Sequence, residues 1–207
     1  MKLSMGVASF RTAVIMADHV DVVSVDVPHD AAGKGVEITT GLEEMSCQLA
    51  ADEDKVKQVL INILQNSLDA LPRNGCIHVS TSLIDNISEF RRMATERPGR
   101  VFFSFASPLL DELNRQYFVI KVTDNGMGIP AEKLSDIFEP FFTNKDKGTG
   151  LGLAIVFRIM KDHEGCIYVE SKEGAGTDFY ISLPINSINT PDLGNFEPKT
   201  TGTPSVL

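Results

Sequence analysis

Gln58, Asn62, Asn66 and Asp69 recur at i, i+4, i+8 and i+11, a spacing that lines them up along one side of a helix. Such a row is most commonly a solvated face. Asparagine, however, is a poor helix former whose amide competes for backbone hydrogen bonds, so two of them one turn apart ask for a reason. An amide oxygen is a hard donor suited to Mg²⁺, which prefers oxygen ligands, waters and substrate phosphates. Asp124-Asn-Gly126-Met-Gly128 reads in two ways. It is an ordinary turn, or a place where glycines admit a flat ligand while the carboxylate accepts from its exocyclic amine. Gly148-Thr149-Gly150-Leu151-Gly152 at a helix start is more pointed. Amides without an intervening Cβ turn toward an anion, and the helix N-terminus adds partial positive charge. The run is neither a Walker loop nor a dinucleotide-binding fingerprint, since no Gly-Lys-Ser/Thr follows and the glycines fall every second residue. Upstream, Phe138-Glu-Pro-Phe141-Phe142-Thr143 leads to Lys145 and Lys147. Exposed aromatics beside cations describe a lid over an anionic ligand; a hydrophobic anchor flanked by solvated lysines is the alternative.

The elements that must position these groups follow from periodicity. Val36 to Thr40 and Ser46 to Ala50 are strand-like, and Asp52 offers an N-cap. A helix follows, with Val56, Val59, Leu60, Ile63, Leu64, Leu68 and Leu71 on one face. Pro72, Asn74 and Gly75 end it. Strands from Cys76 to Leu83 and Tyr117 to Thr123 come next, and a second helix runs from about Leu151 to Asp162. Ile167 to Glu170 and Thr177 to Leu183 alternate like a closing hairpin around Gly174 and Gly176. The sum is an antiparallel-leaning sheet covered by a few helices, an α+β architecture. Residues 85–116 join two strands by an unusually long connection, expected to be partly packed and partly mobile. Residues 186–207, rich in Pro, Thr, Asn and Gly, read as linker or disordered tail.

The 207 residues carry 19 Lys and Arg against 28 Asp and Glu, a net charge of −9. Clustered basic residues, on which nucleic acid binding rests, are not the pattern here. No apolar run approaches the ~20 residues of a membrane span, and no signal peptide is recognisable. With Cys47, Cys76 and Cys166 too far apart for a disulfide framework or a metal cluster, a reduced, cytoplasmic setting is expected.

The four motifs, in this order, resemble those of one family. Asn62-Ile-Leu-Gln-Asn66-Ser-Leu-Asp-Ala is similar to the N box of sensor histidine kinases, Asp124 to Gly128 to the first glycine box, Phe138 to Phe142 to the F box, and Gly148 to Gly152 to the second. The resemblance runs from about Gly35 to Pro184 and ends in Gly174-Ala-Gly-Thr177-Asp-Phe-Tyr-Ile-Ser-Leu-Pro. It implies the Bergerat fold of the GHKL ATPases: a two-layer α+β sandwich whose mixed, mostly antiparallel sheet carries helices on one face. The domain would occupy residues 35–185. The resemblance also implies roles. Asn66 would hold the Mg²⁺ that bridges the ATP phosphates, supported by Asn62. Asp124 would take the adenine amine, with Gly126, Gly128 and Ile129 shaping the base pocket and Thr177 bonding beside it. Phe138, Phe142, Thr143 and Lys145 would form the lid, Lys145 reaching the terminal phosphates. The amides from Gly148, Thr149, Gly150 and Leu151 to Gly152 and Leu153 would cradle them. A His-bearing dimerisation hairpin and a response regulator receiver domain are the partners implied.

Three departures matter. Hydrolytic relatives carry a Glu four residues before the Mg²⁺-binding Asn, whereas this chain has Asn62, whose amide is no general base; transfer to a protein is thereby favoured over hydrolysis. None of His19, His29, His78 or His163 sits in the expected acceptor motif. The acceptor is then expected in trans or on a segment outside these 207 residues, which are too few for a whole sensor kinase. A stand-alone anti-sigma-type Ser/Thr kinase and a non-catalytic nucleotide-binding module are the alternatives. Finally, the family has a helix near Val20 to Ala32, where this chain has strand-like Val20, Val22, Val25 and Val27, so the sequence leaves residues 1–34 undecided.

Overall fold

Tyr-Phe-Val-Ile-Lys-Val-Thr-Asp, strand β7 (Tyr117–Asp124), opens with four consecutive buried apolar residues because it lies mid-sheet with both faces covered. The structure, a computed structural model, describes residues 9–16, 19–26, 35–42, 48–49, 51–96, 98–106, 115–143 and 148–185. The expected tail at 186–207 lies outside them. Around β7 are β3 (Glu37–Gly41), β5 (Cys76–Ile84), β6 (Arg100–Ser104), β8 (Cys166–Lys172) and β9 (Gly176–Pro184), in sheet order β3-β5-β7-β9-β8-β6. The β3–β5 pair is parallel and the other four are antiparallel. A second, three-stranded sheet holds β1 (Ser9–Met16), β2 (His19–Asp26) and β4 (Gln48–Leu49). Strand-like composition therefore prevails at residues 19–26, the family's helical expectation notwithstanding.

Helix α1 (Glu53–Ala70) starts where Asp52 Oδ1 accepts from the Lys55 amide, 3.1 Å. It ends before Pro72, with the Leu71 amide donating to Ser67 O at 3.1 Å. Its apolar stripe packs with α3 (Gly152–Asp162) on one face of the sheet, closing a single core with Ile77, Val79, Phe118, Ile120, Val122, Phe179 and Ile181. The two helices are also tied at their ends. His163, capping α3, accepts from the Asp52 amide through Nε2 (3.1 Å), while its Nδ1 bonds Ile159 O (2.8 Å).

The two-layer α+β class holds, with one addition on the other face. The 85–116 connection contains a helix and an edge strand. Asn86 Oδ1 accepts from the Ser88 amide, and α2 (Ser88–Glu96) follows, braced by Arg92–Glu96 at 2.8 Å. Phe90 stacks on Tyr168 (centroids 5.0 Å, 8° between planes) and tilts against Tyr180 (5.2 Å). Tyr168 and Tyr180 alternate with core residues Val169 and Ile181, so α2 lies across the sheet face opposite α1 and α3. That cover explains why Cys166 to Val169 are buried without interruption. Residues 107–114 lie outside the described ones. Neither Cys76 nor Cys166 forms a disulfide; Cys76 is exposed, and buried Cys166 donates through Sγ to Ser104 Oγ at 3.6 Å. Among the described residues no helix is long and apolar enough to cross a membrane.

Ser182, also on that covered face, is fully buried and its hydroxyl has no hydrogen-bond partner. Removing an unsatisfied hydroxyl recovers its desolvation cost, about 1–3 kcal/mol, against a small void. Ser182→Ala is expected to leave the unfolding free energy unchanged or to raise it. A loss above about 1 kcal/mol in urea unfolding would contradict the orphan assignment.

Candidate functional site

Three elements converge on Asp124, at the end of β7, which is 4% exposed. From α1, the Ser67 hydroxyl donates to Oδ2 at 2.8 Å; from the following loop, the Gly126 amide donates to Oδ1 at 2.9 Å. From β9, the Thr177 amide adds a third bond, Thr177 being the strand partner of Asp124. Burial is the largest influence on this carboxyl and pushes its pKa up, while the three hydrogen bonds pull it down; the net shift is upward.

The loop after Asp124 is fastened on both sides. The Met127 amide donates to Ala70 O at the end of α1 (3.1 Å), and Met127 O accepts from the Gly174 amide in the β8–β9 turn (2.7 Å). Gly128 has φ +68°, and a Cβ there would lie 2.1 Å from Lys172 O, so only glycine lets the loop cross the end of β8. The Ile129 amide then donates to Ser171 Oγ (2.8 Å). Ser171, 5% exposed, also bonds Gly176 O (3.0 Å) and Thr177 Oγ1 (2.9 Å). Sequence reasoning passed over this residue. Its signal was a hydroxyl at the inward position of Ile167, Val169 and Ser171, where the alternation calls for an apolar side chain.

Asp124, Ile129, Ser171 and Thr177 open onto a cleft of about 610 Å³, whose far walls are Pro98 to Arg100 and Glu170. Asn62, Asn66 and the Gly148–Gly152 run do not line it; they meet one another elsewhere along α1. A Cβ on Gly152 would stand 3.3 Å from Asn62 Oδ1 and 3.9 Å from Asn66 Nδ2, so both half-buried amides face the start of α3. This corrects the solvated-face reading for these two; Gln58 is half-buried and Asp69 exposed. Leu151, the N-cap of α3, offers no side-chain cap, and the first helical bond is Ile155 N–H to Leu151 O at 2.9 Å. The amides of Gly152, Leu153 and Ala154 thus have no carbonyl within their own helix. No acidic residue stands in that first turn and Lys161 stands in the last, so the positive end of the helix is uncompensated.

The three phenylalanines of the 138–142 segment differ from expectation. Phe138 is buried, edge-on to Phe103 (5.3 Å) and tilted against Phe157 (5.8 Å). It is a core anchor, and Phe142 is half-buried against the same core. Only Phe141 is exposed, at 74%. Its φ of +69° is strained for a bulky residue. The Phe141 amide donates to Gly150 O (2.9 Å), and Gly150, at φ +65°, comes so close that a Cβ would sit 2.5 Å from the Phe141 carbonyl carbon. Thr143, Gly148 and Thr149 are exposed, while Gly150, Gly152 and Leu153 are intermediate. Lys145 and Lys147 lie outside the described residues.

Residues 51–187 match the sequence model of the histidine kinase-, DNA gyrase B- and HSP90-like ATPases. The chain is 35% identical over 145 residues to sporulation kinase C of Bacillus subtilis (strain 168), covering 70% of this chain and 27% of that protein. To the sensor histidine kinase ZraS of Klebsiella oxytoca it is 33% identical over 168 residues, 81% and 30% respectively. Among solved structures, the catalytic domain of histidine kinase ThkA superposes with a TM-score of 0.53 at 28% identity, over 75% of this chain and 82% of that one. Full-length ShkA in complex with AMPPNP gives 0.54 at 26%, over 75% and 27%. The chain spans under a third of the length of these two curated relatives.

Two outcomes test this geometry. Phe138→Ala should cost about 3–5 kcal/mol, as for other buried aromatics, whereas Phe141→Gly should relieve strain and cost nothing; chemical denaturation of both variants checks the contrast. For Asp124, the folded pKa exceeds the unfolded one, so ionisation costs stability. That cost is absent below the ordinary carboxylate range and grows as pH rises through the raised value. The Tm of Asp124→Asn relative to the parent is therefore expected to be more favourable at about pH 7 than at about pH 4.

Proposed function

Because the chain belongs to the family of histidine kinase-, DNA gyrase B- and HSP90-like ATPases, we propose that it is the ATP-binding catalytic domain of a two-component sensor histidine kinase. What supports this most directly is the placement of α1. One turn of it sends Asn62 and Asn66 toward the uncapped start of α3, and the next residue, Ser67, holds the carboxylate of Asp124. A single rigid helix thereby fixes the distance between a site for a donating base edge and a site for phosphates.

In this reading Asp124 and Thr177 receive the adenine, and the amides of α3 receive the phosphates. Among the described residues no group of three His, Cys, Asp or Glu could hold a metal ion. The donor set that fits Mg²⁺ is the amide oxygen of Asn66, with Asn62 beside it and phosphate oxygens completing the shell. When bound, the ion would neutralise charge on the transferring phosphoryl group. The chain's own residues do the remainder: they hold the nucleotide in line, and Asn62, unable to take a proton from water, leaves a protein nucleophile as acceptor. That acceptor is a His on a dimerisation hairpin, and a response regulator receiver domain is the next partner.

The test is incubation with γ-labelled ATP, Mg²⁺ and a separately made His-bearing hairpin. Acid-labile label on the hairpin is the expected result. Acid-stable label would indicate a Ser/Thr kinase, and no transfer a regulatory nucleotide-binding module. Asn66→Ala should weaken Mg²⁺-dependent nucleotide affinity by roughly tenfold or more while the domain stays folded, as expected for loss of a metal ligand; equal affinity in the variant would sink the assignment.

A further inference from the structure

The hydroxyl of Ser171 makes three contacts, with the Ile129 amide (2.8 Å), Gly176 O (3.0 Å) and Thr177 Oγ1 (2.9 Å). A serine hydroxyl has one proton and two lone pairs. The Ile129 amide can only donate and the Gly176 carbonyl can only accept. One assignment satisfies all three: Ser171 accepts from Ile129, gives its proton to Gly176 O, and takes the proton of Thr177. Thr177 Oγ1 is then left with lone pairs alone to present to the cleft it lines beside Asp124. Ser171 is 5% exposed and Thr177 6%, so bulk water does not readily rearrange these protons.

We propose that Ser171 is a specificity-determining residue, which fixes Thr177 as a pure hydrogen-bond acceptor and so selects adenine over guanine nucleotides. This rests on the reading of Asp124 and Thr177 as the base site. Adenine presents an amine, a donor, to such an edge. Guanine presents a carbonyl oxygen at the corresponding position, and with the Thr177 proton committed elsewhere that oxygen meets an acceptor. A site built to pair one polarity rejects the other because the mismatched groups stay desolvated and unpaired. Ser171 does not touch the base in this scheme; it acts through Thr177. The same hydroxyl also anchors Ile129, so the loop that shapes the pocket and the polarity of its threonine are governed by one side chain.

The experiment compares the affinities of ADP and GDP, without Mg²⁺, by calorimetry for the parent and three variants, with Tm measured alongside. The parent should prefer ADP. Ser171→Ala frees the Thr177 proton, and the ADP-to-GDP preference should fall by roughly three- to tenfold, the worth of one hydrogen bond. Ser171→Thr, which keeps the hydroxyl, should restore the parental ratio. A general loosening of the fold would instead weaken both nucleotides together and leave the ratio unmoved, which would overturn the proposal. Thr177→Val, with Ser171 intact, removes the acceptor itself and should lower the ratio similarly, which keeps the test decisive if Ser171→Ala fails to fold. A parental ratio in Thr177→Val would overturn the proposal. Absence of any nucleotide binding by the parent would instead remove the base-site reading and this inference with it.

Discussion

A carboxylate taken out of water has to be met by donors, and for Asp124 these come from three parts of the chain at once. The Ser67 hydroxyl belongs to α1, the Gly126 amide to the loop that follows β7, and the Thr177 amide to β9. A buried anion of this kind is expensive unless its partners are fixed, so each of them is obliged to stay in place. Helix, loop and hairpin are therefore registered on one side chain. The glycine positions follow from the same demand: the loop can bend back to Asp124 and still cross β8 only where Gly128 has no Cβ to collide with Lys172 O.

The contrasting feature is what remains unmet. The start of α3 has no side-chain cap and no acidic residue, yet it faces two amides of α1. Net charge is a poor guide to such a place. The chain as a whole is at −9, but the field near three uncapped amides is set locally by the helix, so a phosphate and an acidic surface are compatible.

Much of this was legible from the sequence because its signals are local. The α1 stripe, its Asp52 cap, the Pro72 to Gly75 stop and the glycine runs each declare themselves within a dozen residues. What stayed hidden depended on distant partners. Phe138 is indistinguishable in sequence from Phe141, yet one is anchored by Phe103 and Phe157 and the other stands exposed. The strand Arg100–Ser104 pairs with β8, some 66 residues later, so its place at the sheet edge is non-local. Helix α2 left a fainter trace: an Asn86 turn, then Arg92 and Glu96 at i, i+4, with Phe90 facing tyrosines that alternation alone assigns to a solvated face. Ser171 left only the faint mark of a hydroxyl at an inward strand position, and its partners Ile129, Gly176 and Thr177 come together only in the fold.

The isolated bridge between Leu49 and Ile185 gives the unit a mechanical property. Leu49 ends β4, ahead of α1, and Ile185 directly follows β9, so their antiparallel pairing clamps the approach to α1 onto the end of β9. A clamp of this kind resists sliding of α1 along the sheet, which keeps Ser67 in register with Asp124 and its strand partner Thr177.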